Sequence, residues 1–221
     1  YQWDRPVNVL SMGGDLNIGI KEYLEYQGFS YKLVPIKNKT TSTVAGFVEP
    51  DRLYELMTDK FHWDAVKADN YFIDYQNYYT FLGVLSYRNM FVCAAEAFMK
   101  AGQNDRAEEM LDMCNEVMAQ YPLETIPIGF PGNDYMVINM VKDYYLLGQA
   151  DKARALAGSF SEDLLRTAAF YFDFYDWGQD EFETAGYYIY ALAEELKKGG
   201  DTKMSSDMVG RFNEMIGAVG E

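Results

Sequence analysis

Apolar residues recur every three or four positions along most of the chain after residue 50, which is the spacing of amphipathic helices. Before residue 50 the pattern changes to short alternating runs separated by glycine and proline. The fold class predicted from this pattern is mainly α, with helical hairpins and a small N-terminal unit that contains strands. The predicted helices lie at 50–61, 87–101, 107–118, 134–145, 153–172, 185–196 and 204–215, with a break at 159–161.

The N-terminal unit is predicted to be a strand-helix-strand (α/β) arrangement. Arg5–Leu10 and Phe29–Val34 have the residue types of short strands. Between them, an apolar stripe predicts a helix that Gly28 ends. Such a unit has a right-handed crossover if its strands are parallel. The stripe consists of Leu16, Ile20, Tyr23, Leu24 and Gln27. We therefore expect a unit over 1–48 and a helical-repeat domain over 49–221, packed together as one fragment of a larger protein.

One short motif occurs twice, as Gly102-Gln-Asn-Asp-Arg-Ala107 and Gly148-Gln-Ala-Asp-Lys-Ala153, 46 residues apart (148 − 102). Glycine ends a helix in the left-handed conformation, and the alanine lets two helices approach closely. The motif resembles the turn of tetratricopeptide hairpins. Those repeats recur at ~34 residues, so an insertion is expected between the hairpins, over Tyr121–Gly132. Capping boxes are predicted at Asp105 with Glu108 and at Asp180 with Glu183.

The first helix of each hairpin offers a candidate partner-binding face, because tetratricopeptide-like units mostly bind other proteins. The alternative is that the aromatic loop 69–81 or the terminal helices cover this face. Asp69–Phe81 is rich in tyrosine and phenylalanine, which pack against helices or stack on sugars. The candidate residues are Asn89, Val92, Glu96 and Met99 in the first hairpin and Tyr135, Ile138, Lys142 and Tyr145 in the second.

Charge narrows the classes of partner. The 221 residues carry a formal net charge of −15, and a negative field repels phosphate backbones and anionic lipids. Nucleic acid is therefore not an expected partner. No apolar run reaches the ~20 residues of a membrane helix and no signal peptide is evident, so the fragment is expected to be soluble. The chain starts at Tyr1, which suggests a processed or excised fragment.

The sequence has few residues in patterns typical of catalytic or metal sites, and neither catalysis nor a cofactor is predicted. His62 lacks a nearby His or Cys pair and is interpreted as a surface residue. The Gly13-Gly14 pair matches neither phosphate-loop motif and is interpreted as a turn. Cys93 and Cys114 are expected to be buried free thiols, with a hairpin disulfide as the alternative. The acidic group Asp173, Asp176, Asp180, Glu181 and Glu183 does not match a calcium loop.

A family resemblance adds to this pattern. The segments that show this resemblance are Trp3-Asp-Arg-Pro-Val7, Tyr23–Pro35, Asp51-Arg-Leu-Tyr54 and Arg88-Asn-Met-Phe91, together with the glycine-containing turn. They are similar to the C-terminal soluble region of bacterial protein O-mannosyltransferase-like multi-pass membrane proteins, formerly a domain of unknown function. The similarity runs from Trp3 to the second hairpin and weakens in the terminal helices.

The resemblance implies a tail that faces the periplasm at the inner membrane, while a missing N-terminal membrane part holds the glycosyl-transfer chemistry. It implies no catalytic residue in this chain. The first hypothesis is therefore a non-catalytic module that binds a protein or glycoprotein acceptor or a partner. The second is a carbohydrate-binding module in which exposed tyrosines stack on glycans. A third, a hydrolase, would need two carboxylates converging in one cleft.

Overall fold

The computed structural model describes residues 5–10, 19–37, 47–68, 87–119 and 133–217, together with Tyr121, Leu123, Ile126, Ile128 and Gly129. The mainly helical class with a small strand unit near the N-terminus is confirmed. The strands are β1 (Asn8–Val9), β2 (Leu24–Tyr26) and β3 (Tyr31–Leu33). The helices are α1 (Pro50–Glu55), α2 (Asp64–Lys67), α3 (Tyr87–Lys100), α4 (Asn104–Val117), α5 (Asn133–Leu146), α6 (Ala150–Asp173), α7 (Tyr175–Lys198) and α8 (Thr202–Gly217).

The N-terminal sheet differs from the predicted strand-helix-strand unit. Its strands run antiparallel in the order β1-β3-β2, and Phe47 adds a parallel bridge beside Glu25. The helix predicted through Leu24 and Gln27 is wrong, because Leu24 lies in β2 and, within the described residues 19–23, a 3-10 turn at Lys21–Tyr23 precedes this strand. Gly28 ends no helix and instead turns the β2–β3 hairpin at φ +80°. Leu24 is fully buried, so burial in a sheet decides its conformation here.

Contacts divide the chain into two compact units. The first unit comprises 1–65 with 90–113, so the strands share a core with α1 and with most of the first hairpin. Trp63 lies in this core, where its ring meets Phe91 at a centroid distance of 5.0 Å and its Nε1 donates to the carbonyl of Met57 (2.8 Å). The proline at the start of α1 lies at the predicted position, and Leu56–Lys60 continues this helix as a π-helical turn.

The second unit comprises 66–89 with 114–221 and contains the hairpins α5–α6 and α7–α8. Helix α6 packs most extensively against α7, while α5 and α7 also contact each other, as do α6 and α8. The predicted break at 159–161 is wrong: α6 runs unbroken, and the hydroxyl of Ser161 donates to the carbonyl of Gly158 (2.9 Å). Helices α4 and α7 begin at Asn104 and Tyr175, so neither Asp105 nor Asp180 occupies the predicted cap position.

Three helix turns share one hydrogen-bonding pattern, and the third was not predicted. Gly102, Gly148 and Gly200 have φ of 73°, 77° and 93°. In each turn the next residue's N–H reaches the carbonyl four residues before the glycine, which is the Schellman geometry. The bonds are Gln103 to Phe98, Gln149 to Tyr144 and Asp201 to Leu196, at 2.9, 2.8 and 2.9 Å.

The side chains around these glycines repeat as well. Five residues after each glycine lies a small, fully buried residue: Ala107, Ala153 and Ser205. Helices α7 and α8 therefore form a third hairpin, 52 residues after the second (200 − 148). Core positions before each glycine are also equivalent and have at most 1% exposure. They are Phe91, Val137 and Ile189, then Ala94, Met140 and Leu192, then Phe98, Tyr144 and Leu196.

Candidate partner-binding site

The predicted face lies 13, 10, 6 and 3 residues before the turn glycine in both hairpins, a set of positions we call the stripe. In the first hairpin Asn89 is exposed, Val92 is buried, and Glu96 and Met99 are half-buried. In the second, Tyr135 is 52% exposed, Ile138 is buried, and Lys142 and Tyr145 are half-buried. Val92 and Ile138 are core residues, so neither is available to a partner. The accessible ends of the two stripes are Asn89 and Tyr135.

The third hairpin covers the end of the second stripe. The phenol of Tyr145 donates to Oδ2 of Asp201 at 2.6 Å, and the guanidinium of Arg154 donates to the same carboxylate at 3.1 Å. A Cβ on Gly199 would lie 2.6 Å from the Tyr145 ring, so the chain approaches this ring as closely as glycine permits. Burial and the Asp201 carboxylate raise the pKa of Tyr145. Tyr145 is thus a contact between hairpins.

On the third hairpin the same stripe is open. Its residues are Tyr187, Tyr190, Glu194 and Lys197. Tyr187 is 64% exposed and Tyr190 is 46% exposed, with the Tyr190 hydroxyl donating to Asn213 at 2.9 Å. Glu194 and Lys197 form a salt bridge with each other at 2.9 Å. Tyr187 therefore presents the largest exposed side chain of the described stripes.

Tyr135 and Tyr187 occupy the same position on neighbouring helices. Each lies 13 residues before its glycine, and α5 and α7 contact each other. Tyr145 near the end of α5 contacts Gly199 at the end of α7, and Asp134 at the start of α5 interacts electrostatically with Tyr188 halfway along α7, so the two helices run in the same direction. Because packed helix axes lie about 8–10 Å apart, we expect one ligand to be able to contact both tyrosines.

A buried polar cluster fixes the start of α5. The guanidinium of Arg88 donates to Oδ1 of Asn133, and Oδ2 of Asp134 accepts from the N–H of Gly129 at 2.7 Å. Asn133 also donates to Oδ1 of Asp134 at 3.2 Å. Burial raises the pKa of the Asp134 carboxyl, and the hydrogen bonds from Gly129 and Asn133 lower it by a smaller amount. Arg88, one of the residues that carry the family resemblance, thus holds the helix on which Tyr135 lies.

Comparison with family models, with curated proteins and with solved structures finds no match to this chain. In the part of the chain that the structure describes, no helix combines the length and apolarity that a membrane span requires. The family resemblance and what it implies about location and partners therefore remain predictions.

The described residues contain no candidate metal site. They contain no group of three or more His, Cys, Asp or Glu side chains placed to hold a metal ion. His62 is exposed, as expected of a surface residue. Neither Cys93 nor Cys114 forms a disulfide; Cys114 is buried and Cys93 is half-buried, and burial raises the pKa of the Cys114 thiol to about 11. The aromatic stretch 69–81 and the Gly13-Gly14 pair lie outside the described residues.

A second exposed surface lies at the junction of α6 and α7, and the sequence analysis missed it. Phe170, Phe174, Tyr175 and Trp177 form what we call the aromatic corner, with exposures of 57%, 55%, 42% and 92%. The Phe170 and Phe174 rings lie 5.2 Å apart. The sequence contains a signal for this surface, because six aromatic residues fall within 170–177.

Proposed function

We propose that this chain is a non-catalytic helical-repeat module that binds a polypeptide partner through the stripe tyrosines Tyr135 and Tyr187. The observation that carries the proposal is the repetition of one exposed tyrosine at one position on two adjacent helices. Tyrosine is enriched at protein interfaces because its large ring buries apolar area while its hydroxyl still forms a hydrogen bond.

The arrangement of the second unit supports this proposal. The buried cluster at Arg88 and Asn133 and the hairpin contact at Tyr145 fix α5 at both of its ends. A rigid platform lowers the entropic cost of binding, because the ring positions are set before the partner arrives. The Tyr187 ring is further held edge-on against Tyr188 at 5.2 Å.

The test is selection of peptides from a random displayed library on the whole chain, followed by affinity measurements on variants. We expect Tyr187→Ala to weaken a selected peptide about tenfold or more, and Tyr187→Phe to weaken it less. Leu146→Ala is the matched control, because Leu146 is an exposed apolar residue of α5 outside the stripe. Peptide binding that survives Tyr135→Ala combined with Tyr187→Ala would contradict the proposal.

The carbohydrate-binding alternative uses the same exposed rings. Exposed aromatic faces stack on sugars, and both Tyr187 and Trp177 are largely exposed. A glycan array probed with the whole chain separates the two functions. Binding of oligosaccharides that Tyr187→Ala abolishes, without binding of selected peptides, favours the carbohydrate function.

We further propose, from the family resemblance, that in the parent protein this module faces the periplasm beside a membrane glycosyltransferase and holds a protein or glycoprotein acceptor. Labelling an introduced cysteine at the exposed Ser206 in the full-length parent tests the location. A maleimide that crosses the outer but not the inner membrane should label it in intact cells. Labelling only after the inner membrane is broken would place the module in the cytoplasm instead.

A further inference from the structure

The aromatic corner combines exposed rings with carboxylates, in a stretch of sequence that has no basic residue. From residue 167 to residue 196 the chain contains no Lys or Arg, whereas seven Asp and Glu residues fall in the same stretch. Asp173 and Asp176 alternate with Phe174, Tyr175 and Trp177, and all five side chains are exposed. A ligand at this corner therefore meets rings and negative charges together.

Elsewhere on these helices, several acids form salt bridges with bases. Glu162 bonds Arg211, Glu194 bonds Lys197 and Glu195 bonds Lys198. In the described part of the chain, no salt bridge involves Asp173, Asp176 or Asp180. The corner thus lacks the salt bridges that neutralise Glu162, Glu194 and Glu195, and its charges remain available to a cation from another molecule.

The backbone at the corner holds the rings in place. Gly178 interrupts the helical geometry of α7 with φ −123° and ψ 25°, and a Cβ there would lie 2.4 Å from the Tyr171 ring. Tyr171 in turn meets the Phe170 ring edge-on at 5.2 Å, and Tyr175 meets the buried Phe182 at 5.6 Å. Trp177 points into solvent from this support, with 92% of its surface exposed.

We propose that the aromatic corner, with Asp173 and Asp176, binds a lysine- or arginine-rich segment of a partner polypeptide. Cations bind over the faces of tryptophan, tyrosine and phenylalanine, and carboxylates beside the rings form salt bridges with the same cations. The net charge of −15 increases the rate at which a basic segment arrives. The same carboxylates repel anionic lipid head groups, so a polypeptide fits the corner better than a membrane surface.

This inference rests on the proposed polypeptide-binding function but uses a surface separate from the stripe. The probes are labelled octaarginine, octalysine, octaglutamate and a neutral Gly-Ser octapeptide, measured with the whole chain by fluorescence anisotropy. We expect octaarginine to bind most tightly, and its affinity to fall as salt is raised from 0.05 to 0.5 M. Trp177→Ala should weaken it about two- to five-fold, the value of one exposed cation–π contact.

A charge-matched pair of variants separates a site from a general negative field. Asp173→Asn with Asp176→Asn removes two charges at the corner, and Asp207→Asn with Glu214→Gln removes two exposed charges on α8. The corner pair should weaken octaarginine severalfold more than the α8 pair. Equal weakening by the two pairs would overturn the inference. Circular dichroism should show all these variants folded, because the changed side chains are exposed.

Different binding results would contradict this inference and the proposed function. If selected peptides bind through Tyr187 while Trp177→Ala leaves the affinity for octaarginine unchanged, the corner does not bind basic segments, although the module still binds polypeptide. If no peptide of any kind binds, both proposals are wrong. Binding of a neutral oligosaccharide that Trp177→Ala abolishes, without binding of octaarginine, assigns the corner to sugars and overturns the inference.

Discussion

The hydroxyl of Tyr145 lies 2.6 Å from the carboxylate of Asp201 and donates a hydrogen bond to it. Tyr145 stands near the end of α5, and Asp201 is the residue that follows the turn glycine of the third hairpin. This bond therefore links one hairpin's first helix to the next hairpin's turn. Arg154, at the start of α6, adds a second donor to the same carboxylate.

Tyr145→Phe tests this link without removing the ring. A hydrogen bond to a charged acceptor contributes about 1.5–3 kcal/mol when buried, but Asp201 keeps Arg154 as a partner and is partly solvated. We expect the free energy of unfolding to fall by about 1 kcal/mol in urea denaturation. Tyr135→Phe is the control, because the Tyr135 side chain is exposed, and it should change stability by less than about 0.5 kcal/mol.

The same bond predicts a dependence on alkaline pH. Burial and Asp201 raise the pKa of Tyr145, so the folded state holds the phenol proton more tightly than the unfolded chain does. The stabilisation is complete below the ordinary tyrosine pKa of about 10 and is lost as pH rises toward the folded-state pKa. The unfolding free energy of the unaltered chain should therefore decrease more steeply above pH 10 than that of Tyr145→Phe. Parallel curves for the two proteins would contradict this prediction.

Gly199 and Gly210 give a matched pair of glycine replacements. A Cβ at Gly199 meets the Tyr145 ring at 2.6 Å, whereas one at Gly210 meets nothing within 4 Å. We expect Gly199→Ala to destabilise the chain by about 1–3 kcal/mol through overpacking. Gly210→Ala, within α8, should stabilise it by about 0.5–1 kcal/mol because alanine loses less backbone entropy in a helix. Equal effects on thermal unfolding would show that the contact at Tyr145 is not tight.

The third hairpin was missed for a reason visible in its residues. Its turn reads Gly200-Asp-Thr-Lys-Met-Ser205, so only the glycine of the repeated motif is retained and serine replaces alanine. The three turns share the hydrogen-bonding geometry and a buried small residue, and neither feature requires identical amino acids. The positions of the predicted face were consequently transferable to Tyr187 and Tyr190, although the sequence analysis stopped at Tyr145.

The N-terminal error has a different origin. Leu16, Ile20 and Leu24 have helical spacing, but Leu24 and Tyr26 are buried in a strand that pairs with β3 on one side and Phe47 on the other. Pairing between distant segments decides such a short stretch, and no local pattern reveals it. Local signals succeeded where the element is local, as at Pro50 and at the glycine turns Gly102 and Gly148.

Ser205 tests whether the three turns are equivalent. Its buried hydroxyl donates to the carbonyl of Ala193 at 2.9 Å, whereas Ala107 and Ala153 have no hydroxyl at the same position. If the position requires only a small residue, Ser205→Ala should change the unfolding free energy by less than about 1 kcal/mol. Ser205→Leu should cost about 1–3 kcal/mol or more by overpacking. A loss on Ser205→Ala as large as on Ser205→Leu would make the hydroxyl itself essential and the three turns different.

Gly178→Ala tests whether the aromatic corner depends on the packing of Gly178 against Tyr171. The new methyl group would lie 2.4 Å from Cδ1 of Tyr171 and 3.3 Å from its Cβ, so the Tyr171 ring cannot simply rotate away. We expect a loss of about 1–3 kcal/mol from overpacking, together with displacement of the neighbouring rings. Binding of octaarginine should weaken although no corner residue is changed, while Gly210→Ala leaves it unaltered. Unchanged binding by a folded Gly178→Ala protein would show that the corner does not depend on the support that Tyr171 provides.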